Sequence, residues 1–195
     1  IRSTPDAGPW RLAIVGRLTP NKNQQSAVRA LALLVEAGFD VALDVVGDGP
    51  ERDRLVALAT ELGVIDRVHF HGMVDHARVL DVFRGADLQL LTTRQEGYGK
   101  VLLESMVLGV VPVFSRSPVS EEISGGGTRA VVIDPDRPEQ VAAAVRGLIE
   151  DRDRWLAMVD DARAATEGLT LEAFGRRTRE LLERQWGLSL AGPRS

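Results

Sequence analysis

Two glutamates with seven residues between them, Glu96 and Glu104, bracket the segment Glu96-Gly97-Tyr98-Gly99-Lys100-Val101-Leu102-Leu103-Glu104. It follows an apolar run and opens a helical pattern. Its glycines let the backbone come close to a ligand. The first amides of a helix have no acceptor within the helix, so with the helix dipole they form a site for an anion. Glu104 lies four residues after Lys100 and shares its helix face, whereas Glu96 stands before the helix, at its mouth. A second segment, Gly16-Arg17-Leu18-Thr19-Pro20-Asn21-Lys22, places two cations on a loop after another apolar run. Pro20 with Asn21 reads as a turn or a helix entry. Arginine grips phosphate through its planar fork, and lysine adds a point charge. Together the two segments suit a phosphate-bearing ligand whose hydroxyls meet the carboxylates. Taken singly, each has a plainer reading: Glu96 supports the helix start, Glu104 pairs with Lys100 in solvent, and the basic loop is solvated.

The elements that must hold these residues follow from hydrophobic spacing. Short continuous apolar runs at Leu12–Val15, Val41–Val46, Val68–Phe70, Asp87–Leu91, Val110–Phe114 and Ala130–Ile133 suit strands buried on both faces. Between them lie helical stripes: Ala27, Ala30, Leu31 and Leu34; then Leu55, Leu58, Ala59 and Leu62; then Val79, Val82 and Phe83; then residues 99–108. Helical patterns fill 138–149, 151–165 and 171–186. The alternation predicts a doubly wound α/β domain with a mainly parallel six-stranded, Rossmann-like sheet, helices on both faces and extra C-terminal helices. Two consecutive helices at the end break the alternation and suggest an element packed outside the sandwich. Residues 1–10 read as a linker, 11–170 as the domain, 171–187 as a further helix and 188–195 as a tail. In open parallel sheets ligands bind beyond the carboxyl ends of the strands, where both segments above fall.

Composition narrows the function. The 195 residues carry a net charge of −4 and no basic block, which disfavours nucleic acid as a partner. There is no cysteine, so disulfides, thiolate metal sites and a cysteine nucleophile are excluded. Three histidines, His69, His71 and His76, do not suit a histidine-rich metal cage. No apolar run approaches the roughly 20 residues of a membrane span, no signal peptide is evident, and the expected location is cytoplasmic. The chain opens on Ile1, which suits a piece of a longer protein.

The pattern resembles the C-terminal, donor-binding domain of family-4 retaining glycosyltransferases, whose GT-B architecture sets two Rossmann-like domains face to face. The two spaced glutamates within Glu-Gly-Tyr-Gly-Lys-Val-Leu-Leu-Glu-Ser-Met carry the resemblance. The Gly16-Arg17…Lys22 loop, Val46-Gly47-Asp48-Gly49-Pro50-Glu51, Phe70-His71-Gly72, Ala86-Asp87, Gly109-Val110-Val111-Pro112-Val113 and Ile133-Asp134-Pro135-Asp136 extend it over residues 11–186. The resemblance implies a nucleotide diphosphate sugar as donor, no divalent metal and no other cofactor. It implies that Arg17 and Lys22 bind the diphosphate, and that backbone amides from Gly97 through Tyr98, Gly99 and Lys100 to Val101 hold the distal phosphate. Glu104 would bond the ribose hydroxyls, Glu96 would contact the transferred sugar near its 3-hydroxyl, and backbone near Met73-Val74 would meet the base. It also implies an N-terminal acceptor domain, absent from these residues, as partner of the same protein. Residues 1–10 would be the crossover from that domain, and the helix ending near Trp186 would cross back to it.

Three departures stand out. The family often has a Gly-Gly pair and a glutamate after the Pro112 strand, where this chain reads Ser115-Arg116-Ser117-Pro118-Val119-Ser120-Glu121-Glu122. Lys100 replaces what is frequently an apolar residue, and the acceptor half is missing. Other motifs have structural readings. Asp134-Pro135-Asp136 looks like a metal-binding Asp-X-Asp but reads as a turn or cap before a helix. Gly125-Gly126-Gly127 lacks the Lys-Ser of a phosphate loop. His69 and His71 lie on one strand and are expected to face opposite sides. Arg176, Arg177 and Arg179 read as a solvated face that could also touch acidic lipid as a peripheral membrane contact in the parent protein. Two rivals remain: a nucleotide-sugar epimerase of the same architecture, and a non-enzymatic α/β module that binds protein.

Overall fold

A computed structural model describes residues 8–95 and 99–167. Glu96, Gly97, Tyr98 and the expected helix over 171–187 lie outside the described residues. Six strands form one sheet: β1 (Trp10–Val15), β2 (Val41–Val46), β3 (Val68–Gly72), β4 (Leu88–Leu91), β5 (Val111–Ser115) and β6 (Val131–Ile133). All adjacent pairs are parallel and the order is β3-β2-β1-β4-β5-β6. The helices are α1 (Gln24–Glu36), α2 (Arg52–Glu61), α3 (His76–Arg84), α4 (Lys100–Val107), α5 (Ser120–Ser124), α6 (Pro138–Glu150) and α7 (Arg152–Thr166). None is long and apolar enough to cross a membrane.

The apolar runs become central strands because both of their faces are covered. Leu12, Ile14, Leu43, Val45, Leu88, Leu90, Val111 and Val113 pack with Leu31 and Leu34 of α1, Leu55 and Leu58 of α2, and Val141 and Val145 of α6. On the opposite face Ala13 and Val46 meet Val82 and Phe83 of α3, while Leu91 and Phe114 meet Leu102 and Met106 of α4. Burying one such side chain is worth about 1.5–3 kcal/mol. Two neighbouring faces loaded in this way leave little freedom for a strand to slip by one residue.

The topology sets the place of function. From β1 the chain works outward through β2 to β3, then returns to lay β4 on the other side of β1 and proceeds outward to β6. The order therefore reverses between β1 and β4. Loops leaving two strands at such a reversal diverge to opposite faces and open a crevice between them, the usual ligand site of doubly wound sheets.

α7, within the expected domain limits, packs into the sandwich: Trp155 is 3% exposed, lies edge-on to Trp10 at a centroid distance of 5.1 Å, and donates from Nε1 to the carbonyl of Asp87 at 3.4 Å. Its apolar stripe of Trp155, Met158, Val159 and Ala162 is what draws it in. One expectation is corrected: His69 and His71 do not face opposite sides. The β2–β3 register runs Asp44 to His69 and Val45 to Phe70, then skips to Val46 opposite Gly72. His71 is the extra residue of this bulge, but the shared side follows from the ordinary two-residue period of a strand: Nε2 of His71 lies 2.7 Å from Oδ1 of Asp44, with Nδ1 of His69 3.9 Å from the same oxygen.

Candidate functional site

The loops at the carboxyl edge are joined by backbone hydrogen bonds into a continuous rim. The amide of Gly47 donates to the carbonyl of Gly72 at 2.8 Å, and that of Gly16 to Val46 at 2.9 Å. Leu18 donates to Asp48 at 2.9 Å, Glu51 to Leu18 at 3.2 Å, and Arg94 to Asn21 at 2.9 Å. The segments after β1, β2, β3 and β4 are thus stitched edge to edge. Glycine is needed where they touch: Gly47 has φ of 129°, and a Cβ there would overlap the carbonyl of Gly16.

On this rim the β1–α1 loop is anchored by Leu18, 1% exposed, and by Gln24, whose Nε2 donates to the carbonyl of Arg17 at 3.0 Å. Arg17 itself is exposed. The Lys22 side chain folds back over the end of β1, its Cδ and Cε 4.0 Å from where a Cβ of Gly16 would stand. Both cations expected from the sequence therefore belong to one loop at the β1 end of the crevice.

Across the crevice, α4 starts at Gly99, which takes the left-handed conformation with φ of 62°. A Cβ there would stand 2.9 Å from Cδ1 of the buried Leu102, so both backbone angle and packing call for glycine. The amide of Leu102 bonds to the carbonyl of Gly99 at 2.7 Å, which leaves those of Lys100 and Val101 as the outward donors of the first turn. Lys100 is exposed and Glu104 half-buried, and among the described residues no ion pair joins them. The plain reading of Glu104 as a solvent partner of Lys100 thus loses its support. Met73, 82% exposed, and the half-buried Val74 follow β3, at the far end of the rim from β4. Glu96, Gly97 and Tyr98 lie outside the described residues.

Several residues to which the sequence assigns no ligand role hold the two banks together. Thr92, fully buried, donates from Oγ1 to the carbonyls of Asn23 at 2.9 Å and Lys22 at 3.2 Å. Asn21 donates from Nδ2 to the carbonyl of Gln95 at 3.1 Å. The guanidinium of Arg94 reaches the carbonyl of Pro20 at 2.8 Å, Oδ1 of Asn23 at 3.3 Å and Oδ1 of Asp136 at 2.7 Å. Asp134-Pro135-Asp136 is a turn, closed by the amide of Asp136 on Oδ1 of Asp134 at 3.0 Å, as expected; its second carboxylate also serves Arg94. Arg94 and Asp136 are 42 residues apart, so no local pattern could link them.

Residues 2–165 match the family described as Glycosyl transferases group 1. The chain belongs to the group 1 glycosyltransferases. Among curated relatives, a GDP-mannose-dependent alpha-(1-6)-phosphatidylinositol dimannoside mannosyltransferase of Mycobacterium tuberculosis is 34% identical over 151 residues, 76% of this chain and 38% of that protein. A 2-deoxystreptamine glucosyltransferase of Streptomyces kanamyceticus is 30% identical over 172 residues, 88% of this chain and 43% of that protein. Among solved structures, Anabaena Alr3699/HepE in complex with UDP superposes with a TM-score of 0.81 at 25% identity, over 91% of this chain and 50% of that one. The chain spans about two fifths of the length of the curated relatives it matches. Its Rossmann-like sheet is that of the GT-B enzymes.

Proposed function

We propose that this chain is the donor-binding half of a retaining glycosyltransferase, which moves a sugar from a nucleotide diphosphate sugar to an acceptor held by a second domain. In this reading Arg17 and Lys22 bind the diphosphate, and the amides from Gly97 to Val101 hold its distal phosphate. Glu104 bonds the ribose, backbone at Met73-Val74 borders the base, and Glu96 contacts the transferred sugar. Departure of the diphosphate builds negative charge on its oxygens and positive character on the anomeric carbon. Fixed cations and helix amides aimed at the first, and a carboxylate beside the second, lower the barrier. No divalent metal is needed when Arg17, Lys22 and the α4 amides supply the positive potential.

One observation carries this reading. The Lys22 loop and the start of the Glu104 helix occupy the two banks of the crevice where the strand order reverses, with Lys22 folded over the end of β1. UDP in the related Anabaena structure gives the ligand class independent support. The test is a thermal-shift panel of the 195-residue chain with UDP, GDP, ADP and their sugar conjugates. A diphosphate at 100 times its Kd stabilises the native state by about 2.7 kcal/mol, so one base series should raise the Tm. No shift with any diphosphate rejects the reading. Without an acceptor domain, the chain alone should transfer little or no sugar.

A further inference from the structure

Arg94 lies just past β4, and its partly exposed side chain bridges the β1–α1 loop and the β6–α6 loop. Its Nη1 donates to the carbonyl of Pro20 at 2.8 Å, and its Nη2 to Oδ1 of Asn23 at 3.3 Å. Nε donates to Oδ1 of Asp136 at 2.8 Å, and the backbone amide of Arg94 to the carbonyl of Asn21 at 2.9 Å. Two of these partners, Asn21 and Asn23, immediately flank Lys22, and a third, Pro20, stands two residues before it. The fourth, Asp136, comes from the β6–α6 loop. Asn23 shares that anchor: it is 3% exposed, takes the left-handed conformation with φ of 49°, and donates from Nδ2 to the carbonyl of Pro135 at 2.7 Å. A non-glycine residue held left-handed persists only where its surroundings over-determine it. Here three chain segments from β1, β4 and β6 do so.

We infer that Arg94, anchored by Asp136, is a positioning residue that holds the Lys22 loop in register with the end of β4, and so sets where the diphosphate-binding cation stands. The inference rests on the donor-binding function proposed above. The three acceptors are met by three different nitrogens, Nε, Nη1 and Nη2, of one rigid planar fork; an ammonium gathers its three donors on a single nitrogen and does not match that spread. Asp136 also separates positioning from simple electrostatics by sign. A carboxylate near an anion site opposes anion binding, so Asp136→Asn should tighten a diphosphate if charge alone matters. If Asp136 matters by anchoring Arg94, the same change should weaken it.

The experiment is calorimetric titration of the 195-residue chain with whichever of UDP, GDP and ADP the wild type binds, and with the matching nucleoside. Arg94→Met is expected to weaken the diphosphate about tenfold and leave the nucleoside within about twofold. Arg94→Lys should recover little of that loss, and Asp136→Asn should weaken the diphosphate several-fold. Arg94 and Asp136 have side chains 39% and 57% exposed, so these variants should fold; if Arg94→Met does not, Asp136→Asn decides. Unchanged or tighter diphosphate binding in Asp136→Asn, full recovery in Arg94→Lys, or equal losses for diphosphate and nucleoside would overturn the inference. A wild type that binds no diphosphate would sink the functional reading, and this inference with it.

Discussion

Gly47 lies against the carbonyl of Gly16, so close that a β-carbon at 47 would overlap the oxygen and stand 2.8 Å from its carbon. The contact joins the turns after β1 and β2, which run beside each other as neighbouring strands. It is the point where the rim of the crevice is least able to absorb a side chain.

Gly47→Ala must therefore push one turn off the other. We expect a loss of roughly 3 kcal/mol or more, the range of strained backbone and core overpacking combined, read as a lower urea midpoint. Gly38→Ala is the control. Gly38 also has a positive φ, of 86°, but nothing lies within 4 Å of its Cβ position, so only the left-handed penalty of about 1–2 kcal/mol applies. Equal losses in the two variants would remove the packing argument.

Lys22→Ala should weaken a nucleoside diphosphate far more than the nucleoside. A charge-assisted hydrogen bond is worth about 1.5–3 kcal/mol, or roughly ten- to hundredfold in Kd. Calorimetry with UDP against uridine, or the equivalent pair, checks it, and parallel losses would take the phosphate role away from Lys22.

Glu104→Ala should behave in the opposite way. A carboxylate that bonds ribose hydroxyls serves nucleoside and diphosphate alike, so both affinities should fall by a similar factor. A loss confined to the diphosphate would contradict the ribose assignment.

Asp44 is 1% exposed and takes the guanidinium of Arg11 at 2.6 Å and the imidazole of His71 at 2.7 Å. Asp44→Ala should cost about 1–3 kcal/mol, the usual cost of stripping a buried hydrogen-bonded acceptor from its partners. Chemical denaturation measures it. The His71→Ala variant should lose less, since the Arg11 contact remains.

Trp155→Ala should cost about 3–5 kcal/mol, as for other large aromatic truncations in a core. Such a result would confirm α7 as part of the sandwich; a change below about 1 kcal/mol would return it to the surface.

The strands were largely legible before any fold was known. Val41–Val46 occupies the expected limits, and the others differ by a residue or two at their ends, because continuous apolar runs of that length have few alternatives to a doubly covered strand. α5 was not legible: five residues with two glutamates carry no helical stripe, and its Ile123 is buried in a cluster that includes Leu91, Leu102 and Phe114 from distant parts of the chain. The two-residue period of a strand already puts His69 and His71 on one face; the skipped register beside His71 was not legible, because it depends on the partner strand.

The sequence by itself determined the alternation of strands and helices, the two spaced glutamates, the basic loop, and the position of each just beyond an apolar run. Spacing and residue type act over a few residues, and that is enough for such features. Tertiary structure alone decided that β4 returns beside β1, that Arg94 finds Asp136 across 42 residues, and that α7 tucks Trp155 under Asp87. Those outcomes depend on which surfaces meet when both faces of the sheet are buried together, and no local stretch of chain contains that information.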